Sequence, residues 1–258
     1  MDPPALTPPV VQIRNLTKHY GPFVAVRDLT LTIVAGEVFG LLGPNGAGKT
    51  TTIKMLMGVL RATGGQAEIA GRSCFEQRAE VMRHVGYLPD EPVFYDYLRG
   101  RELIRFVAEM HGISARQADS RSRDLLARLD LGDAVDDYAV NYSRGMKKKL
   151  GLVLALLHDP EVFILDEPTN GLDPHATRHV HDLIRDLSAR GKTVVFSTHL
   201  LEQAQRLCTS VAILRRGERV AGGSVVDLAA SGETLESLFF AATEAAPGDG
   251  AGPHVLSP

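Results

Sequence analysis

The stretch GPNGAGKT, Gly43 to Thr50, constrains this chain more than any other. It satisfies G-x-x-x-x-G-K-[ST], follows the apolar run VFGLLG (Val38 to Gly43) and precedes a helical stretch ending near Gly58. Strand, glycine loop and helix in that order make a cradle: main-chain N–H groups turn inward on phosphate oxygens, and the helix N-terminus adds its positive end. Lys49 is expected to reach the β and γ phosphates, and Thr50 to ligate Mg2+. Such cradles serve transporters, switches, motors and kinases alike, so the loop points to nucleotide binding and leaves its use open.

The apolar pattern around the cradle predicts the fold class. HVGYLP (His84 to Pro89), VFILDE (Val162 to Glu167), TVVFST (Thr193 to Thr198) and SVAILRRGERVAGG (Ser210 to Gly223) read as mostly buried strands. After Pro174, Val180, Leu183, Ile184 and Leu187 fall at i, i+3, i+4, i+7, and Gly191 suits the stop. Alternating strands and helices predict an α/β core with a mostly parallel sheet, flanked by helices and binding ligands at the strands' carboxyl ends.

Two segments depart from that rhythm. VVQIRNLTKHY and VAVRDLTLTIVAGE alternate with period two, as an N-terminal antiparallel β subdomain should. Residues from about 91 to 160 read as a helical insertion, with one stripe of Leu103, Phe106, Val107 and Met110 and another of Leu125, Leu126 and Leu129. The expected domain spans 10–243, and the composition of 1–9 and 244–258 predicts disordered tails.

Charge and cysteine content narrow the partners. Lys and Arg number 28 against 31 Asp and Glu, so no global basic field recruits nucleic acid, and none is expected as a partner. The two cysteines, Cys74 and Cys208, suit a reducing cytosol. MDPPALTPPVV carries no basic leader before an apolar run, and the longest apolar run, LVLALL (Leu152 to Leu157), is too short to span a bilayer. The expectation is a chain soluble by itself.

Two further stretches bear on the use of the nucleotide. VFILDE ends in adjacent carboxylates: Asp166 could hold Mg2+ through water while Glu167 activates the attacking water. Alone, the pair also suits helix N-caps. In YSRGMKKKLGLVLALL, Ser143 and Gly145 precede a helix with apolar positions at Met146, Leu150, Val153, Leu154 and Leu157, which gathers a hydroxyl and free N–H groups into a second anion site. A plain N-cap serine before a core helix remains the alternative there, and Lys147 to Lys149 read as a solvated face.

Taken together and in order, these motifs resemble the ATP-binding subunits of ATP-binding cassette (ABC) transporters, over about Val10 to Thr243. By that resemblance the Walker A loop comprises Gly43, Pro44, Asn45, Gly46, Ala47, Gly48, Lys49, Thr50 and Thr51. Tyr20 in LTKHYG would stack on adenine, YSRGM is the signature, VFILDE is Walker B, NGLD with Asp173 is the D-loop, and His199 in STHL is the switch histidine. The resemblance also implies Mg2+, a second ATPase subunit expected to be an identical copy, and an integral membrane permease that holds the chain at the cytoplasmic face of the membrane. Two cassettes would pair head to tail, with Ser143 and Gly145 of one facing the γ-phosphate held by Lys49 of the other.

Two departures stand out. The signature usually reads LSGGQ, whereas Tyr142, Arg144 and Met146 occupy three of its positions here; SRGM resembles the multidrug and polysaccharide exporter branch, whose membrane subunit is a separate polypeptide. In GYLPDEP, Asp90 stands where the family usually has glutamine, and is expected to approach Mg2+ or the attacking water. The alternative from another class is a soluble ABC ATPase of translation or DNA repair, but neither a second Walker A nor heptad runs occur. A small-molecule kinase or GTPase would leave YSRGM unexplained, and no N/T-K-x-D motif is evident.

Overall fold

The computed structural model describes residues 9–230, 232–244 and 254–255. The expected tails therefore lie outside the described residues, except Pro9, Glu244 and 254–255. β1 (Pro9–Tyr20) and β2 (Phe23–Val34) form the antiparallel pair that period two required. β3 (Val38–Leu42) runs into the glycine loop and α1 (Lys49–Leu56).

β4 (Gly64–Ile69) and β5 (Arg72–Ser73) complete the first sheet, in the order β2-β1-β4-β5. This return was not expected. Its only signal is the short alternation in which Ala67 and Ile69 are buried beside less buried Gln66 and Glu68.

α2 (Arg78–His84) leads to β6 (Val85–Leu88), after which the chain leaves for the helical insertion: α3 (Gly100–Met110), α4 (Ala115–Arg128) and α5 (Arg144–Leu156). β7 (Val162–Asp166), α6 (Pro174–Ala189), β8 (Thr193–Thr198), α7 (Leu201–Leu207), β9 (Ser210–Arg215) and β10 (Glu218–Ser224) close the α/β core. α8 (Val225–Ala230) and α9 (Leu235–Glu244) follow. His254–Val255, within the stretch expected as a disordered tail, form β11, which pairs parallel with β10 at the edge of the sheet.

Among the described residues, the second sheet has seven strands in the order β11-β10-β9-β3-β8-β7-β6. β9, β3, β8, β7 and β6 run parallel, and β10 is antiparallel to β9. The mostly parallel sheet expected from the alternating pattern is the one observed. Its two faces carry separate cores. Phe163, Leu165, Val194 and Phe196 pack toward the helical insertion, α6 and α7, whereas Val162, Ile164 and Val195 pack toward α1 and the antiparallel sheet. Truncating a side chain as enclosed as Phe196, 0% exposed, costs about 3–5 kcal/mol.

Two expectations within the insertion need correction. On α3, Leu103, Ile104 and Ala108 are buried, whereas Phe106 and Met110 are 45% and 71% exposed. The buried stripe is thus rotated from the one the large apolar residues suggested, and the exposed pair joins other surface side chains. On α5, Lys148 is fully buried. The helix is buried nearly all round from Leu150 onward, and Lys148 lies one turn before Leu152 and two before Ala155 on a face that packs inward. Among the described residues, no helix is long and apolar enough to cross a membrane.

Candidate functional site

Strand register gathers the site at one edge of the parallel sheet. Leu42 of β3 pairs with Thr198 of β8, and Asp166 of β7 pairs with Ser197 of the same strand. The glycine loop after β3, the acids ending β7 and His199 after β8 therefore emerge side by side at the carboxyl ends of three neighbouring strands.

The loop needs its glycines. Gly43 and Gly48 take φ of +151° and +105°, and a Cβ would lie 2.4 Å from the Leu214 carbonyl oxygen at Gly43 and 2.7 Å from that of Ala25 at Gly48. Ala47 is buried, whereas Pro44, Asn45, Gly46 and Thr50 are exposed. The Lys49 ammonium donates to the carbonyl oxygens of Gly43 (2.6 Å) and Pro44 (3.3 Å) and lies 3.5 Å from Glu167 Oε1.

Glu167 is held on every side. Its φ is +45°, a left-handed conformation costing on the order of 1–3 kcal/mol for a residue with a Cβ. Neighbouring groups fix that backbone: its N–H donates to Ser197 Oγ (3.0 Å), and its carbonyl oxygen accepts from Lys148 Nζ (2.7 Å) and the Asn170 N–H (3.1 Å). Ser197 Oγ in turn donates to Asp166 Oδ1 at 2.5 Å, so one hydroxyl orients both acids. Across the carboxylate, His199 Nδ1 lies 3.1 Å from Glu167 Oε2.

Asp90 faces the same cleft. Its Oδ1 accepts from Lys148 Nζ (3.2 Å) and Asn170 Nδ2 (3.1 Å), and Arg144 lies 3.9 Å away. Lys148 also donates to the Asp90 carbonyl oxygen at 2.6 Å. Burial pushes the Lys148 ammonium below the ordinary lysine range, and the Asp90 carboxylate pulls it back. The two positions at which the motifs depart from the resemblance, Asp90 and Arg144, thus face each other at 3.9 Å. Lys148, Asn170, Ser197 and Phe23 were not anticipated. Asn170 and Ser197 are the first residues of the motifs NGLD and STHL, whose Asp173 and His199 alone were singled out, and the helix spacing of Lys148 could have revealed its burial.

A cleft of about 620 Å3 is lined by the loop residues from Asn45 to Thr51 together with Tyr20, Phe23, Asp90, Glu167, Asn170 and His199. Tyr20 and Phe23 present half-exposed to exposed rings at its rim. Thr50 and Asp90 line the cleft and offer a hydroxyl and a carboxylate, hard donors that suit Mg2+, whereas Asp166 is 1% exposed behind Ser197 and does not line it. Ser143, Gly145 and Asp173 do not line the cleft. Ser143 Oγ caps α5 by accepting from the Met146 N–H at 3.2 Å. Asp173 caps α6 and is held below the usual carboxylate range by the N–H groups of Ala176 and His175.

A family model described as ABC transporter matches residues 26–170. The chain is 39% identical over 213 residues to the uncharacterized ABC transporter ATP-binding protein YhcH of Bacillus subtilis, covering 82% of this chain and 68% of that one. It is 37% identical over 214 residues to Nod factor export ATP-binding protein I of Burkholderia lata, covering 83% and 70%. A solved ATP-binding subunit of an ABC transporter superposes with a TM-score of 0.84 at 31% identity, over 90% of this chain and 99% of the other.

Proposed function

This chain belongs to the ABC transporter family as an ATP-binding subunit, and on that premise we propose that it hydrolyses ATP to drive export through a separate membrane permease. The observation that carries the catalytic part is the Glu167 carboxylate, set between Lys49 at 3.5 Å and His199 at 3.1 Å on the floor of the cleft. Lys49 and the loop N–H groups bind the phosphates, while Tyr20 and Phe23 supply ring surface for adenine. Glu167 takes the proton of the attacking water, and His199 orients Glu167. Thr50 and Asp166 would hold Mg2+, with Asp90 toward its water ligands; when bound, the ion neutralises phosphate charge.

Ser143 and Gly145 lie outside the cleft lining, which supports their delivery by a second copy of the chain. In this reading the γ-phosphate joins two cassettes, and its removal shifts the pair toward the open state. The cassette is the 10–243 unit with the helical lobe at about 91–160, and Asp173 caps α6 where the copies approach. Export is supported by the SRGM signature variant and by the similarity to a Nod factor export protein.

A docking place for the permease is supported by exposed apolar side chains on the lobe. The Tyr95 ring lies 5.9 Å from that of Tyr97 and 6.3 Å from that of Phe106, beside exposed Val93 and Met110. Co-expression with a polytopic partner encoded beside it should carry the chain to the cytoplasmic face of the membrane, and Tyr97→Glu should release it. Recovery with ribosomes or DNA, whatever the membrane partner, would favour the soluble translation or DNA-repair class instead.

A further inference from the structure

We propose that Asp130, His175 and His179 form a binding site for a divalent transition-metal ion of the zinc class, distinct from the nucleotide cleft. His175 and His179 stand at i, i+4 on α6, so both imidazoles leave one face of the helix, with ring centroids 4.4 Å apart. Asp130 follows the end of α4. There φ of +49° and the Leu131 N–H to Leu126 carbonyl bond (2.9 Å) terminate the helix, and the carboxylate lies against α6.

The spacing is that of a ligand set. Asp130 Oδ2 lies 3.5 Å from His175 Nδ1 and 3.6 Å from His179 Nδ1, and one donor atom from each residue falls within 4.8 Å of the others. Zinc bonds of about 2.0–2.1 Å in a tetrahedron put donors roughly 3.3–3.4 Å apart, so the two carboxylate-to-imidazole distances need shifts of only tenths of an ångström, and rotation of the exposed His175 ring can bring the two imidazole donors, now within 4.8 Å, to the same spacing. These distances are too long for hydrogen bonds. A second observation points the same way: His179 Nδ1 is buried yet has no hydrogen-bond partner, an arrangement that normally costs free energy and that a cation would relieve. Two imidazoles and one carboxylate favour zinc-class ions over Mg2+, and water would take the fourth position.

The consequence is mechanical. Asp130 belongs to the helical lobe, whereas His175 and His179 belong to the helix that Asp173 caps, so a bound ion would fasten lobe to core. The Arg128–Asp186 ion pair at 2.6 Å already joins the same two helices.

The test is Co2+ titration of the full-length, untagged, nucleotide-free chain, followed by displacement with Zn2+. One Co2+ per chain with the strong visible absorption of tetrahedral coordination is expected, together with a Tm rise on adding Zn2+. Changes outside the ligand shell already weaken metal sites about 10–100-fold, so Asp130→Asn and His179→Ala should each lower affinity at least about 10-fold. Asp186→Asn, which breaks the neighbouring ion pair, should leave the Co2+ spectrum intact. Absence of tetrahedral absorption in the wild type, or equal binding by folded Asp130→Asn and His179→Ala, would overturn the proposal.

Discussion

The buried ammonium of Lys148 donates to the main-chain carbonyl oxygen of Glu167 at 2.7 Å and to that of Asp90 at 2.6 Å. It thereby ties the strand end that carries the proposed base to the loop that enters the helical lobe. Lys148 also pairs with the Asp90 carboxylate at 3.2 Å. Glu167 needs such ties, because its left-handed backbone is held only if its neighbours over-determine it.

Lys148→Met should lower stability by about 1–3 kcal/mol, since it takes the Lys148 donor from the Asp90 carbonyl oxygen and leaves that of Glu167 with the Asn170 N–H alone. It should lower kcat more than ATP affinity, because Lys148 acts through the backbone of Glu167. Urea unfolding of Lys148→Met, Asp90→Asn and the double variant measures the link, with a coupling of roughly 0.5–3 kcal/mol expected for groups in contact. Additive effects would show that the pair is not coupled.

Lys49→Ala should lose nucleotide affinity, because it deletes the cation proposed to meet the β and γ phosphates. Equilibrium binding of labelled ATP checks this. Undiminished affinity would remove Lys49 from the phosphate site.

His158 makes stability depend on pH. Burial first, and then the stacked His111 ring 3.8 Å away, push its pKa down from 6.5 to about 4. The unfolded chain therefore binds the proton more readily than the folded one. The contribution is fully present above about 6.5 and is lost as pH falls through about 4. Denaturant midpoints measured across that window should fall with pH, and His158→Gln should flatten the slope. An equal slope in the variant would assign the acid sensitivity to other groups.

The fold and the line of the site were legible because periodicity and motif spacing are local. The glycine loop, VFILDE and STHL each end a strand of the parallel sheet, and register alone brings them together. Harder to see was anything set by tertiary burial. Lys148 looked solvated among three lysines because its surroundings come from β6 and β7, distant in sequence. Phe106 and Met110 looked like core because hydrophobicity does not say which of two stripes on α3 packs inward. The meeting of Asp90 with Arg144 and Lys148 required two segments to be folded against each other.

The most direct test of the central proposal is sedimentation of Glu167→Gln with and without ATP and Mg2+. The amide cannot accept the water's proton, so turnover should fall about 10²–10⁴-fold while ATP stays bound. If the γ-phosphate on Lys49 of one copy meets Ser143 and Gly145 of another, the variant should sediment as a monomer without nucleotide and as a stable dimer with it. A variant that binds ATP yet remains a monomer, with turnover near that of the wild type, would contradict both the role of Glu167 and the closing of two cassettes on the nucleotide.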